Sequence, residues 1–182
     1  MSSALLLVDI QNDYFPDGAK ALPGAVAAGE RAALLLADAR DRGLPVVHIQ
    51  HVAVRPGATF FLPATFGVQV HACVAPRSGE PVFVKHFPSA FRDTPLLAHL
   101  RDQGISSLRI AGMMTQMCID TTTRAAADHG FECVLAHDAC AASSLAFAGR
   151  VLDAADVHAA FVAALDGTFA AARSVDEICR GA

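Results

Sequence analysis

The sequence predicts a three-layer α/β fold, in which helices cover both faces of a mainly parallel sheet. Short aliphatic runs alternate along the chain with longer segments that carry helix signals, and this alternation is typical of successive βαβ units. The first aliphatic run, residues 4–10, is apolar at nearly every position up to its carboxylate rather than at every second one. That pattern indicates a strand buried on both faces.

Each element is assigned from its local pattern. Six strands are predicted, at residues 4–10, 45–52, 81–86, 107–113, 131–137 and 169–175. Helices are predicted at residues 23–42, 95–103, 118–129 and 153–165. Pro23 suits a first helical turn, and Gly43, Gly104 and Gly130 suit the ends of helices. The stretch 53–80 is long for a connection and rich in Pro and Gly, so we expect a functional loop carrying some short helix.

Composition excludes several classes of protein. The chain has 182 residues, 53% of them hydrophobic and 18% charged, which favours one globular domain. No apolar run is long enough to cross a bilayer, and no signal-peptide pattern opens the chain. We therefore expect no membrane partner. The net charge of −4 comes without a basic stripe, so we expect no nucleic acid as a partner either. Five irregularly spaced cysteines favour free thiols in a reducing cytoplasm.

Three ionisable side chains fall where the predicted strands end. Asp9 ends the first strand, Lys85 lies at the end of the third, and Cys118 opens the helix after the fourth. Ligands of parallel α/β sheets bind outside the carboxyl ends of the strands. Each residue alone is more often structural: an Asp after a strand commonly caps a turn, and a Cys at a helix start is commonly a small buried residue. Together they form a candidate catalytic set.

This set matches the needs of nucleophilic catalysis by a thiol. A helix N-terminus and a nearby ammonium both favour the thiolate, so we expect Cys118 to have the lowest pKa of the five thiols. A carboxylate such as Asp9 can take the thiol proton and later deliver it to a leaving group. Lys85 can stabilise both anions and orient the carboxylate.

Three segments resemble the signature blocks of the isochorismatase-like cysteine hydrolases, the superfamily that includes nicotinamidases and N-carbamoylsarcosine amidases. They are ALLLVDIQNDYF, FVKHFPSAF and IAGMMTQMCIDTTTRAAADHGFECVLAHDACAA. The blocks occur in the family's order, and the similarity runs from about residue 4 to 175. The third block is the most specific, with a strand, a Gly, a Thr three residues before the Cys, and a Thr/Ala-rich helix.

The resemblance implies a single isochorismatase-like hydrolase domain over residues 1–182, with strand order 3-2-1-4-5-6. It assigns the catalytic roles to Asp9, Lys85 and Cys118. It also implies a non-proline cis peptide between Met113 and Met114, a bond that costs about 3–4 kcal/mol and usually marks a functional site. The backbone N–H of Met114 and that of Cys118 would then form an oxyanion hole. Members of the family are commonly dimers or tetramers, so we expect a homo-oligomer.

We expect no metal and no other cofactor. Metal-using nicotinamidases carry an Asp-x-His pair near the second strand, whereas this chain has His48-Ile49-Gln50-His51 there. Residues i and i+3 of a strand point to opposite faces, so His48 and His51 cannot easily share one ion. His51 is instead expected to line the substrate site. The residues proposed to contact substrate are Phe15, His51, Phe87, Phe91 and Thr115.

The retained Cys118 favours acyl transfer on a small amide, carbamoyl or related C–N substrate. Two alternatives stay open. Isochorismatases proper hydrolyse a vinyl ether, need no covalent nucleophile and commonly lack the cysteine. The second alternative is a non-catalytic protein on the same scaffold, which binds a small molecule or acts as a thiol protein. A Rossmann dinucleotide enzyme is not expected, because IQNDYFPDG follows the first strand in place of G-x-G-x-x-G.

Overall fold

The computed structural model describes residues 2–181 and has a six-stranded parallel sheet in the order β3-β2-β1-β4-β5-β8. The strands are β1 (Ser2–Val8), β2 (Val46–His51), β3 (Val82–Lys85), β4 (Ile105–Met113), β5 (Glu132–Ala141) and β8 (Ala171–Arg173), and a separate antiparallel hairpin comprises β6 (Leu145–Phe147) and β7 (Arg150–Leu152). The predicted order 3-2-1-4-5-6 is confirmed, with β8 in the sixth place.

Helices cover both faces of the sheet. They are α1 (Ala25–Asp41), α2 (Leu96–Asp102), α3 (Asp120–Asp128), α4 (Ala154–Leu165) and α5 (Val175–Arg180). Helices α1 and α5 pack on one face, and α2, α3 and α4 pack on the other. None of the helices within residues 2–181 is both long and apolar enough to cross a membrane.

The central strand β1 explains why the sheet needs two helical layers. Leu5 and Leu7 belong to the apolar core under α1, whereas Leu6 and Val8 belong to the core on the opposite face. All four are at most 2% exposed. Since successive side chains of a strand point to opposite faces, a run of Leu and Val is stable here only with both faces covered.

Two short elements near the C-terminus differ from prediction. The predicted last strand, residues 169–175, is only the three-residue β8, because Ser174 caps α5 in a capping box with Glu177. The hairpin β6–β7 was not predicted. Its turn uses positive φ at both central residues, Ala148 (48°) and Gly149 (76°), which is the geometry that two-residue hairpins require.

Candidate active site

The ends of β1, β3 and β4 bring the three predicted residues together. Asp9 follows β1, Lys85 ends β3, and Cys118 lies in the turn after β4. Lys85 Nζ lies 2.7 Å from Asp9 Oδ2 and 3.2 Å from Cys118 Sγ. Asp9 is 0% exposed, Lys85 1% and Cys118 6%. The carboxyl edge of the sheet therefore holds a buried polar centre, in which the Lys85 ammonium contacts a carboxylate and a thiol.

Lys85 is surrounded by acceptors. Besides Asp9 and Cys118, its Nζ lies 2.9 Å from His51 Nδ1 and 3.0 Å from the Phe87 carbonyl oxygen. The contact with His51 follows from the sheet register, in which His51 of β2 pairs with Lys85 of β3. Burial alone lowers the pKa of Lys85, but Asp9 and Cys118 raise it more, so the net pKa is raised. Lys85 is therefore an ammonium ion at neutral pH.

The resting Cys118 is a neutral thiol, contrary to the prediction of a low pKa. Burial raises its pKa well above the ordinary value, the Asp9 carboxylate raises it further, and the Lys85 ammonium only partly offsets the two. Burial also raises the pKa of Cys73 and of Cys133 to about 11, so Cys118 is not the most acidic thiol. Cys118 differs from Cys73 and Cys133 in having a carboxylate and an ammonium beside it, and not in being ionised at rest.

The turn that carries Cys118 has a constrained backbone. Gly112 of β4 has φ 147°, and a Cβ there would lie 1.9 Å from the Val8 carbonyl oxygen, so only glycine fits against β1. Met114 has φ 54° and ψ 80° and precedes a π-helical turn, Thr115–Ile119. The Met117 and Ile119 N–H groups both donate to the Met114 carbonyl. π-Helical turns and left-handed non-glycine residues recur at functional sites.

The expected cis peptide between Met113 and Met114 is wrong for this structure, because no peptide bond among residues 2–181 is cis. The chain reverses direction after β4 through the positive φ of Met114 instead. Such a residue costs about 1–3 kcal/mol, against about 3–4 kcal/mol for a non-proline cis bond. Asp9, at the end of β1, also has a positive φ of 54°.

The two histidines of β2 point in opposite directions. His48 is 1% exposed, and its Nε2 lies 3.1 Å from Glu80 Oε2, away from Cys118. His51 faces the triad, defined here as Asp9, Lys85 and Cys118. Burial, reinforced by Lys85, lowers the pKa of His51 to about 4, so the ring is neutral. Because an ammonium only donates, His51 Nδ1 accepts from Lys85 and Nε2 carries the ring proton.

A cavity of about 500 Å³ opens onto Cys118, the member of the triad that lines it. Cys118 and His51 lie at its base, beside Tyr14, and Phe87, Met114 and Met117 contribute to its apolar wall. The remaining wall comes from residues 53–61 of the predicted functional loop and from His86 and Pro88. Burial raises the pKa of Tyr14 well above its ordinary value, and Cys118 and Asp9 add to the effect, so Tyr14 offers a hydroxyl donor to a ligand.

Three polar residues hold this pocket loop, residues 53–80, over the site, and sequence reasoning assigned them no role. Gln11 Nε2 donates to the Val68 and His51 carbonyls, and Asn12 Nδ2 donates to the Phe66 carbonyl. The Asp13 carboxylate accepts from the N–H groups of Ala19 and Phe61. The signal was available: three consecutive polar residues follow a buried strand within a signature block.

Phe61 links these residues to the cavity. It is 1% exposed, has φ 56°, and packs edge-on against Tyr14 with ring centroids 4.6 Å apart. Gly67 makes room for the same attachment, since a Cβ there would lie 2.0 Å from Asp13 Oδ1. The pocket loop itself contains only one short 3₁₀ segment, Ala72–Val74, among its described elements.

Two of the five expected substrate-contacting residues, His51 and Phe87, line the cavity, and three lie elsewhere. Phe15 stacks on His71 with ring centroids 3.6 Å apart. Phe91 packs against His129 and Phe131. Thr115 is 0% exposed, and its hydroxyl lies 2.9 Å from Nδ1 of His158 in α4. Nearness in sequence to Asp9, Lys85 and Cys118 therefore did not place these side chains in the cavity.

Comparison with known proteins identifies the family. The sequence profile of the Isochorismatase domain matches residues 3–177. The chain belongs to the isochorismatase family. It is 44% identical to the uncharacterized isochorismatase family protein YddQ of Bacillus subtilis over 176 residues, which cover 97% of this chain and 98% of YddQ. Maleamate amidohydrolase of Pseudomonas putida is 36% identical over 154 residues, covering 74% and 70% of the two chains.

Solved structures agree with this assignment. The structure of an isochorismatase from Pseudomonas putida superimposes with a TM-score of 0.90 at 32% identity, covering 96% of this chain and 89% of that one. The named members of the family are hydrolases, and amidohydrolases are among them. This isochorismatase-family protein is a hydrolase.

Proposed function

We propose that this hydrolase cleaves a small amide, carbamoyl or related C–N bond through a covalent intermediate on Cys118. The observation that carries the proposal is the direct contact of a buried thiol with a buried ammonium that also pairs with a carboxylate, at the base of a cavity. A kinship with maleamate amidohydrolase supports the choice of an amide.

Asp9 acts as the base in the first half of the reaction. The resting thiol is neutral, so its proton must leave as sulfur attacks the substrate carbonyl. The Asp9 carboxylate takes this proton, and Lys85 stabilises the thiolate as it forms. The carbonyl oxygen becomes an oxyanion, for which the backbone N–H of Cys118 is the proposed donor. The Met114 N–H was expected as a second donor only through the cis peptide that this structure lacks, so it is not proposed again.

In the second half, Asp9 returns the proton to the departing nitrogen and then removes one from water. The water attacks the thioester carbonyl, and the carbon–sulfur bond breaks. Asp9 returns the proton it took from water to the Cys118 sulfur, which restores the neutral thiol, and the acid product leaves. The neutral His51, whose Nε2 carries a proton, and the Tyr14 hydroxyl are proposed to bind polar atoms of the substrate, in a cavity that Arg55, Thr59 and His86 also line.

The two alternatives are less well supported. Vinyl ether hydrolysis requires a group that protonates carbon, but it does not require a thiol. That reaction would therefore not use the contact between Lys85 and Cys118. A binding protein needs no buried charge pair, since such a pair costs desolvation free energy that apolar residues would avoid.

We also propose that the single domain functions as a homo-oligomer, a dimer or tetramer, in the cytoplasm. Apolar side chains that stand out from the hairpin β6–β7 support assembly: Phe147 is 86% exposed and Val151 76%. The five cysteines are free thiols, which suits a reducing compartment. Light scattering during size-exclusion chromatography measures the oligomeric state directly.

Hydrolysis profiling tests the proposal. The purified protein is assayed against small amides, carbamoyl compounds and isochorismate, with Cys118→Ala as control. We expect release of ammonia or amine from a member of the amide and carbamoyl set, and no release by Cys118→Ala. Turnover of isochorismate alone, retained by Cys118→Ala, would establish the vinyl ether alternative. No turnover of any compound, with saturable binding, would favour a binding protein.

A further inference from the structure

The Lys85 ammonium occupies the centre of a cage of four acceptors. Its Nζ lies 2.7 Å from Asp9 Oδ2, 2.9 Å from His51 Nδ1, 3.0 Å from the Phe87 carbonyl oxygen and 3.2 Å from Cys118 Sγ. An ammonium has three N–H groups, one fewer than the acceptors around it. Three of the four acceptors belong to side chains that also bind metals: a carboxylate, an imidazole and a thiol.

These three side chains are arranged as ligands of one ion. A carboxylate oxygen of Asp9, a ring nitrogen of His51 and the sulfur of Cys118 all lie within 4.8 Å of one another. Asp9 is 0% exposed. Among residues 2–181, no hydrogen-bond donor lies within reach of its Oδ1. Its Oδ2 forms an ion pair with Lys85, but the angles of that contact do not meet those of a hydrogen bond. A buried carboxylate with a free oxygen in this cage has unused capacity to bind a cation.

We propose that Asp9, His51 and Cys118 form a latent binding site for a thiophilic divalent cation such as Zn²⁺ or Co²⁺, and that Lys85 keeps the ion out. The site is distinct from the His48–His51 pair considered from sequence, because His48 faces Glu80. The proposal rests on the geometry of the cage and is independent of which bond the enzyme hydrolyses.

Charge balance explains why lysine and metal exclude each other. In the cage as it stands, the Asp9 carboxylate is paired with the Lys85 ammonium at 2.7 Å, so the two opposite charges cancel. Replacing the ammonium and the thiol proton by one divalent ion leaves the sum unchanged. Binding to a variant without Lys85 therefore releases one thiol proton to solvent. With Lys85 present, the ion would add uncompensated positive charge to a buried site.

Distance favours the same exclusion. Zinc lies about 2.0–2.2 Å from oxygen and nitrogen ligands and about 2.3 Å from sulfur. The three side chains stand about 0.5–0.9 Å farther than this from Lys85 Nζ, so an ion in its place draws each inward by less than about 1 Å. Side-chain rotations supply such shifts, with the Phe87 carbonyl or water as the fourth ligand.

The test compares two substitutions of Lys85 under titration with Co²⁺, which reports its ligands through visible and near-ultraviolet absorption. Lys85→Ala removes the ammonium and opens the cage. Lys85→Met removes the charge but keeps the cage filled. We expect Lys85→Ala to bind one equivalent of Co²⁺ at least about a hundredfold more tightly than the wild type or Lys85→Met, with thiolate-to-cobalt absorption and release of one proton. Adding Cys118→Ser should remove that absorption.

Equal binding by the wild type and Lys85→Ala, or binding by Lys85→Ala without thiolate absorption, would overturn the proposal. The buried Asp9 charge makes Lys85→Ala prone to misfold. If Lys85→Ala is obtained only as aggregate, it is refolded with and without Co²⁺, and the yield of soluble protein is compared. Soluble protein obtained only with Co²⁺ supports the latent site. The same yield under both conditions, or no soluble protein under either, contradicts it.

Discussion

The triad and the pocket loop meet at the same cavity but are built in different ways. Asp9, Lys85 and Cys118 stand at the ends of parallel strands, so the sheet itself sets their separation. The pocket loop has almost no regular structure and is held by side-chain hydrogen bonds from residues 11–13 and by aromatic contacts. The difference indicates that the sheet fixes the chemistry, whereas the loop is free to determine which substrate reaches it.

This division has a kinetic consequence. Changes to the triad should lower kcat, because in the proposed mechanism Asp9 and Cys118 change charge and Lys85 stabilises the charge that develops. Changes to the attachment of the pocket loop should act mainly on KM, because they alter the walls of the cavity. Any variant that violates this pattern would show that the two regions are not separable.

The largest effect is expected for Cys118→Ala. Removal of the nucleophile should lower kcat/KM by at least about 10⁴-fold, since no covalent intermediate can form. Cys140→Ala is the matched control: Cys140 is also a buried thiol, 7% exposed, but its sulfur contacts the Ala136 carbonyl rather than an ammonium. Steady-state kinetics on the best amide substrate gives both values, and comparable losses in the two variants would contradict a special role for Cys118.

Lys85→Met should lower kcat by about 10²–10³-fold, because the developing thiolate loses its positive partner. Methionine has nearly the same length and fills the buried space, so the structural effect is kept small. Lys20, the other lysine of the chain, is exposed, and Lys20→Met should leave kcat unchanged. A Lys85→Met enzyme that loses only substrate affinity would contradict the role assigned to the ammonium.

Asp13→Asn tests the attachment of the pocket loop. The carboxylate accepts from the N–H groups of both Ala19 and Phe61 through separate oxygens, and an amide can satisfy only one of them. We expect KM to rise about tenfold with kcat changed less, which corresponds to the loss of one charge-assisted hydrogen bond. Asp17→Asn, an exposed change in the same turn, serves as control and should change neither parameter.

The smallest effect at neutral pH is expected for His51→Gln, which should change how stability depends on pH. The pKa of His51 is about 4 in the folded state, against an ordinary 6.5. Between these values the unfolded chain binds a proton that the folded chain does not, so stability falls as pH falls from 6.5 towards 4. Because the ring is partly exposed and solvent screens it, by pH 4.5 the wild type should lose about 1–2 kcal/mol more than His51→Gln.

Urea unfolding of the two proteins at pH 7 and pH 4.5 measures this difference. Glutamine can still accept a hydrogen bond from Lys85 but cannot be protonated, so the variant isolates the titration from the loss of a contact. Parallel pH dependences for the wild type and His51→Gln would mean that His51 is not buried in a neutral form.

Much of the fold and the triad could be predicted from sequence because both follow from strand positions. Aliphatic runs mark buried strands, and the carboxyl ends of parallel strands share one edge of the sheet, so Asp9, Lys85 and Cys118 converge. The same reasoning failed for the sign of the Cys118 pKa shift. That sign depends on the balance of burial and Asp9 against Lys85, which requires distances.

The rest depended on contacts that local patterns do not encode. The role of Asp13 arises from an amide 48 positions later in the chain, and Thr115 faces His158 rather than the cavity. The hairpin β6–β7 has strands of three residues, too short for a periodic signal. The cis peptide was inferred by analogy, and a left-handed Met114 takes its place.

The acyl-enzyme on Cys118 is the central claim, and rapid-quench mass spectrometry of the intact protein tests it most directly. During turnover of an amide or a matching ester, we predict an added mass equal to the acyl group, located by peptide mapping on Cys118 and absent from Cys118→Ala. Turnover by Cys118→Ala at the wild-type rate, or an acyl group on another residue with Cys118 unmodified, would contradict the covalent mechanism.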